Sequence, residues 1–311
     1  MKIKPHLSKG FTLVELMITL VLSLMITYGI AQVLISSNRT SVTSDGMSQS
    51  QETGRFVMSY LANQVRQAGL DSIGNKNSTT TTFMNCTDFP ALNNAIAGNV
   101  CIIEGTGAGA GGETQATIKA ANITHGDRLS IAWIPPANNL VDCSGSTGHR
   151  PLAAPSTDPL IDYVADNIIL NTFWVEYDAT SKMNSLMCQG FLFNGTDVIG
   201  SSPAQAIANG VEAMQILYGQ GTPPRNIPGD RNINQYVPAA IDPAAIVDAR
   251  EVRDWDRVYA VKISIMTRSI TEVTNSDTLR TYVMADAAPY QMTDAVSRQV
   301  FTTTFVINNY Q

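Results

Sequence analysis

Charge is scarce in this chain. Only 15% of its 311 residues are Asp, Glu, Lys or Arg, and the formal net charge is −6. No basic stripe follows Lys9, so nucleic acid is not expected as a primary partner, because that task needs cations clustered against phosphates. Cysteine is also sparse. Cys86, Cys101, Cys143 and Cys188 are not closely paired as zinc ligands are, and only His125 and His149 lie in the same region. There is no HExxH helix, EF-hand loop or serine in a nucleophile elbow. The alternating glycines of Gly105 to Gly112 lack a following lysine and read as a loop, not a phosphate cradle. His125-Gly126-Asp127 reads as a turn before a strand, not as a base with its orienting acid. Asp254-Trp255-Asp256 reads as solvated acids around a buried tryptophan, not as calcium ligands. Catalytic residues, metal and cofactor are therefore not expected, and the chain reads as a protein that is not an enzyme.

Proline is missing between His6 and Phe89, and that leaves room for one very long helix. From Phe11 to Ile35 the chain is apolar over 25 residues, with Glu15 its single charge. About 20 apolar residues suffice to cross a bilayer as a helix. A carboxylate in such a segment costs roughly 2.5–3.5 kcal/mol at mid-membrane, so it needs a partner or a task; a place near the helix N-terminus would also suit an acid. Downstream, Val57, Leu61, Val65 and Ala68 recur at helical spacing and end near Gly69. A helix from Phe11 to about Ala68 would be roughly 85–90 Å long at about 1.5 Å per residue. Gly29, Gly46 and Gly54 are weak points in it, and two helices broken near Ser44-Asp45-Gly46 are the alternative.

The first residues carry Lys2, Lys4 and Lys9, end in Gly10, and precede Phe11-Thr12-Leu13-Val14-Glu15. The apolar run is too long for an ordinary cleaved signal core. The combination resembles the class III leader of type IV pilins and pseudopilins. The resemblance implies cleavage between Gly10 and Phe11 by a prepilin peptidase and methylation of the new Phe11 amine. It also implies that Glu15 pairs with the terminal amine of a neighbouring subunit and sets its axial register. Losing three leader lysines would take the formal charge from −6 to −9 before the new amine is counted. Arg55 to Leu61 with Gln67-Ala68-Gly69-Leu70, Val211 to Gln215 with Tyr218-Gly219, Trp255 to Val258, and Arg298 to Asn309 resemble PilW-type minor pilins. Gln32 stands where major pilins commonly carry proline, and the chain is about twice the usual major-pilin length. Both favour a minor subunit.

In an oxidising compartment the four cysteines would form two disulfides, for which three connectivities exist; four free buried thiols are the rival reading. Cys86–Cys101 and Cys143–Cys188 are favoured because each pair flanks its own loop-rich segment. The first would close a loop of about 15 residues, worth on the order of 3 kcal/mol.

The rest reads as strands. Tyr259, Val261, Ile263 and Ile265 alternate with Ala260, Lys262, Ser264 and Met266, as a half-buried strand requires. Phe301, Thr303, Phe305 and Ile307 keep the same period. Asp127 to Ile134, Ile168 to Tyr177, Gly190 to Phe193 and Val211 to Tyr218 are further strands, and Asp248 to Arg257 a short helix. Loops fall at Asn75–Thr82, Gly105–Gly112, Gly219–Asp230 and Ala285–Asp294. The expected class is α+β and pilin-like: a long N-terminal helix, transmembrane and then amphipathic, packed on an antiparallel β-sheet domain. The expected divisions are a leader at 1–10, a membrane or filament-core helix segment at 11–35, its amphipathic continuation at 36–70, and an exported domain at 71–311. The resemblance implies a minor pilin in type IV pilus assembly or priming, serving adhesion, twitching motility or DNA uptake. Its partners would be the prepilin peptidase, other minor pilins, the major pilin, the inner-membrane assembly platform and the lipid bilayer. It would wait in the inner membrane with its C-terminal domain exported to the periplasm, then reach the pilus or cell surface. A GspJ-like minor pseudopilin of type II secretion and a membrane-anchored adhesin outside any filament are the alternatives.

Overall fold

The computed structural model describes residues 10–68, 125–133, 135, 141–145, 167–178, 181–194, 197–221, 232–238, 258–273 and 278–307. Its chain divides into two units, Met1–Asp45 and Gly46–Gln311. The fold is α+β. Among the described residues, the helix α1 (Leu13–Gln67) is followed by β1 (Leu129–Trp133), β2 (Asn167–Asp178), β3 (Met183–Asn194), β4 (Asp197–Ser201), β5 (Gln205–Asn209) and β6 (Val211–Gly221). Then come β7 (Ile233–Val237), β8 (Val258–Arg268), β9 (Arg280–Tyr282), β10 (Tyr290–Met292) and β11 (Arg298–Val306). All the strand pairs are antiparallel. One sheet runs β1-β2-β3-β4 with β5 also on β3, a second runs β11-β8-β6-β7, and β9 and β10 form a two-stranded ribbon.

Helix α1 runs through Ser44-Asp45-Gly46 without a break. From there a stripe of Gly46, Ser50, Gly54, Val57, Leu61, Val65 and Ala68 is buried, spaced three and four apart as one helix face requires. Two glycines read as weak points are instead points of close approach. A side chain at Gly46 would run into Val273, and one at Gly54 into the ring of Phe301. Between them Ser50 Oγ lies 2.8 Å from Thr267 Oγ1, and Thr267 Oγ1 also lies within bonding distance of the Ser50 carbonyl oxygen, at 3.0 Å. The hydroxyl pair satisfies polar groups where helix and sheet come too close for water. Further along, Val57, Leu61 and Val65 enter a core shared with Leu129, Phe173, Leu186, Met214, Ile263 and Ile265, which joins both large sheets to the helix.

The second sheet is buried on both faces along most of β8. Ala260, Ser264 and Met266, expected on a wet face, are fully buried. Over Met266 the cover is the ribbon: Met284, Tyr290 and Met292 pack with Ala213 and Met266 on the face away from the core. Gln215 Nε2 donates to the Tyr290 hydroxyl at 2.9 Å across the same contact. Hence the segment expected as a loop at Ala285–Asp294 contains β10, and Gly219 to Gly221 belongs to β6 instead of to a loop. The strand expected at Gly190 to Phe193 is the second half of β3.

The loop 141–145 is fastened to β3 by a Cys143–Cys188 disulfide, with Cα atoms 6.2 Å apart. Cys143 N–H donates to Asn171 Oδ1 at 3.1 Å, and Asn171 Nδ2 donates to Gln64 Oε1 at 3.1 Å. The Tyr60 hydroxyl donates to the Cys143 carbonyl. Burial, with the charge of Asp142 adding to it, pushes the Tyr60 phenol up to about 12, so it stays a donor at any physiological pH. Cys86, Cys101, the glycine loop 105–112, the loop 75–82, the helix at 248–257 and its Asp254-Trp255-Asp256 lie outside the described residues.

His125-Gly126-Asp127 joins the two large sheets. His125 N–H donates to Val175 O at 2.9 Å, Asp127 N–H to Met214 O at 2.7 Å, and Asp127 Oδ2 accepts from Ile216 N–H at 2.7 Å. Gly126 sits at φ +89° with the Met214 carbonyl oxygen where a side chain would begin. That carbonyl cannot give way, being backbone, and the conformation is one that L-residues avoid. Gly126→Ala is therefore expected to destabilise the folded body by at least about 2 kcal/mol. Urea unfolding followed by tryptophan fluorescence checks it; a midpoint equal to wild type would contradict this packing.

Candidate functional site

The amino end of α1 is built by four residues in order. Gly10 precedes the helix with nothing within 4 Å of where a side chain would start. Phe11 is 79% exposed. Thr12 stands just before the first helical residue, Leu13, and Glu15 lies three positions after Thr12. Glu15 N–H donates to Thr12 Oγ1 at 3.3 Å, and Thr12 N–H approaches Glu15 Oε2 at 3.5 Å. This is a reciprocal cap: the Thr12 hydroxyl shares the Glu15 N–H with the Thr12 carbonyl oxygen, 3.1 Å away, and the Glu15 carboxylate serves the Thr12 N–H ahead of the first turn. The Thr-x-x-Glu spacing could have been read in the sequence, and Thr12 is the site residue that reading by charge alone passed over. Glu15 is exposed, at an end where the helix dipole favours an acid.

Beyond the cap the segment presents apolar side chains all round. Leu16, Ile18, Leu20, Leu24, Ile26 and Ile30 each leave more than half of their surface uncovered. Three of its hydroxyls bond back to the helix: Thr19 Oγ1 donates to Leu16 O at 3.0 Å, Ser23 Oγ to Leu20 O at 2.9 Å and Thr27 Oγ1 to Ser23 O at 2.8 Å. Polar atoms satisfied within the helix can enter hydrocarbon without loss of a bond. By length and composition α1 can cross a membrane. The one charge between Phe11 and Ile35 is that of Glu15.

The body holds a second charged group that the sequence did not announce. Arg298, at the start of β11, bonds both Glu212 and Asp294, and Arg268 lies 3.4 Å from Glu212. Arg298, Glu212 and Asp294 are buried at the end of the second sheet, and Arg268 is half-buried beside them. Burial would lower the Arg298 guanidinium, but its bonds to Asp294 and Glu212 outweigh that and hold it above its ordinary value. Nothing reactive follows from a cation so firmly protonated; the cluster ties the ribbon loop to the sheet. Among the described residues no three His, Cys, Asp or Glu side chains are grouped to hold a metal ion.

Residues 6–27 match the model of the prokaryotic N-terminal methylation motif, and residues 172–309 match the family model described as type IV pilus-assembly protein W. The first spans Gly10, Phe11, Thr12 and Glu15. The second runs from within β2 past the end of β11 and so contains the whole second sheet. No curated protein and no solved structure matches the chain.

Proposed function

We propose, from the premise that this chain is a type IV pilus minor pilin of the PilW type, that Gly10–Phe11 is its processing site and Glu15 its assembly charge. The carrying observation is a coincidence of position. The helix cap and the start of an uncovered apolar helix both fall within residues 10–15, inside the methylation-motif match over residues 6–27. A prepilin peptidase would cut after Gly10 and methylate the amine of Phe11. The charged amine would then lie one helical turn from Glu15. In a bundle of parallel anchors, the carboxylate of one subunit meets the amine of the next, and an unpaired charge in that apolar surround is costly enough to set register. The work is structural: the anchor holds the subunit in the inner membrane, the exported body faces the periplasm, and other minor pilins, the major pilin and the assembly platform are its partners. The match over residues 172–309 is to a pilus-assembly protein, which favours the pilus over the secretion pseudopilus and over an unassembled adhesin.

Mass spectrometry of the membrane-extracted protein tests this. The mature chain is expected to begin at Phe11 with a methylated amine. Gly10→Leu is expected to leave only full-length precursor, because a peptidase needs close access to the backbone at the cut. A mature chain beginning anywhere else would overturn the reading.

A further inference from the structure

After Glu15, α1 carries no charge until Arg39, and none after that until Asp45. The run of apolar side chains stops at Ile35. Ser36-Ser37-Asn38-Arg39-Thr40-Ser41 follows, polar for more than one and a half turns and exposed throughout. Thr40 Oγ1 donates to Ser36 O at 3.0 Å and Thr43 Oγ1 to Arg39 O at 2.9 Å, so these hydroxyls are satisfied within the helix. The Arg39 guanidinium differs. Among the described residues none bonds or pairs with it, and its N–H groups are all donors in need of acceptors.

Arg39 stands 24 residues after Glu15. At about 1.5 Å per residue that is about 36 Å along one helix. A tilt of about 20°, the average for a membrane span, shortens it to about 34 Å across the bilayer. The hydrocarbon layer is about 30 Å thick, and the bilayer with its headgroups about 40–45 Å. Both charges therefore clear the hydrocarbon together, each ending in a headgroup layer. A spacing two turns shorter, about 25 Å, would leave one of them in hydrocarbon, and one two turns longer, about 47 Å, would carry one past the headgroups. Lys2, Lys4 and Lys9 mark the amino end as the cytoplasmic one, so Arg39 meets the opposite leaflet. What that layer offers a guanidinium is phosphate, whose anionic oxygens fit its planar fork in two parallel bonds. The methylene stem can lie along the lipid meanwhile.

We infer that Arg39 binds phospholipid phosphate in the periplasmic leaflet and so fixes how deep α1 sits in the bilayer. The inference rests on the membrane-anchored reading above. It keeps Glu15 at the opposite headgroups while the subunit waits, so that its charge becomes costly only when the helix enters an apolar bundle. Solid-state NMR of the full-length chain tests the contact, with 13C in the arginine guanidinium and vesicles of phosphatidylethanolamine and phosphatidylglycerol. Phosphate-free buffer leaves lipid as the source of all phosphorus. Guanidinium carbon is expected to be dephased by lipid phosphorus, as it is when bonds of about 2.7–2.9 Å hold the two groups together. Arg39→Gln is expected to abolish that dephasing while the chain stays in the vesicles. Dephasing that persists in Arg39→Gln belongs to another arginine and overturns the inference. So does a wild-type chain that the vesicles retain and that shows none, which would leave Arg39 in water or paired with another copy. Alkaline carbonate checks the premise separately: a wild-type chain released by it would overturn the membrane reading and the inference together.

Discussion

Arg298→Met is expected to lower the unfolding free energy of the body by about 3–5 kcal/mol, read from the denaturant midpoint at unchanged slope. Arg298 is fully buried and bonds both Glu212 and Asp294. Without it, Asp294 loses its nearest cation and Glu212 keeps only the longer approach of Arg268, 3.4 Å away. The two arginines lie opposite each other in the β11–β8 register, an arrangement that is tolerable only because the two acids are interleaved with them. If uncompensated charge is the cause, removing the acids together with Arg298 should recover most of the loss, since replacing a whole buried ion group by apolar residues is often neutral. A triple variant as unstable as the single one would assign the loss to packing. The acid limb gives a second readout. Burial alone would raise the Asp294 carboxyl, but its bonds to Arg298 prevail and hold it below the usual range. A lowered acid contributes fully above its unfolded value of about 3.9 and loses that share as pH falls through the folded value. The contribution is therefore complete near neutrality and lost only in strong acid, and Arg298→Met should flatten that part of the profile.

Glu15→Val is expected to be inserted and processed normally yet to abolish assembly, seen as subunit in the membrane fraction and little or none in sheared pili. Removing the charge makes the anchor more compatible with lipid, so insertion should not suffer. The cap found at Thr12 demands a second variant, because valine removes both the charge and a capping contact. Glu15→Gln separates them: glutamine can complete the same reciprocal cap but cannot pair with an amine as an ion. Loss of assembly in both variants assigns the role to charge. Normal assembly with glutamine and loss with valine would make Glu15 a helix cap, worth about 0.3–1 kcal/mol locally. A precursor that accumulates uncut would place its action at peptidase recognition.

Local pattern carried the helix and several strands. A proline-free stretch with apolar residues at three- and four-residue spacing specifies α1, and strict alternation specifies β8 and β11, because these periods depend only on where consecutive side chains point. The stretch that matches the methylation motif is legible for the same reason: Gly10, Phe11 and Glu15 are neighbours along the chain. Which β8 face is wet was not legible, because the ribbon that covers Met266 comes from residues 280–292, and alternation says nothing about what arrives from elsewhere. β9 and β10 were missed since three residues are too few to show a period. Gly46 and Gly54 looked like breaks because helix propensity is local, whereas their use is the approach of Val273 and Phe301. The sequence by itself determined the long apolar helix segment, its one charge, and the alternation of the strands that follow it in the chain. Only the tertiary structure decided the Arg298–Glu212–Asp294 cluster and the pairing of β11 with β8, because both depend on residues far apart in the chain.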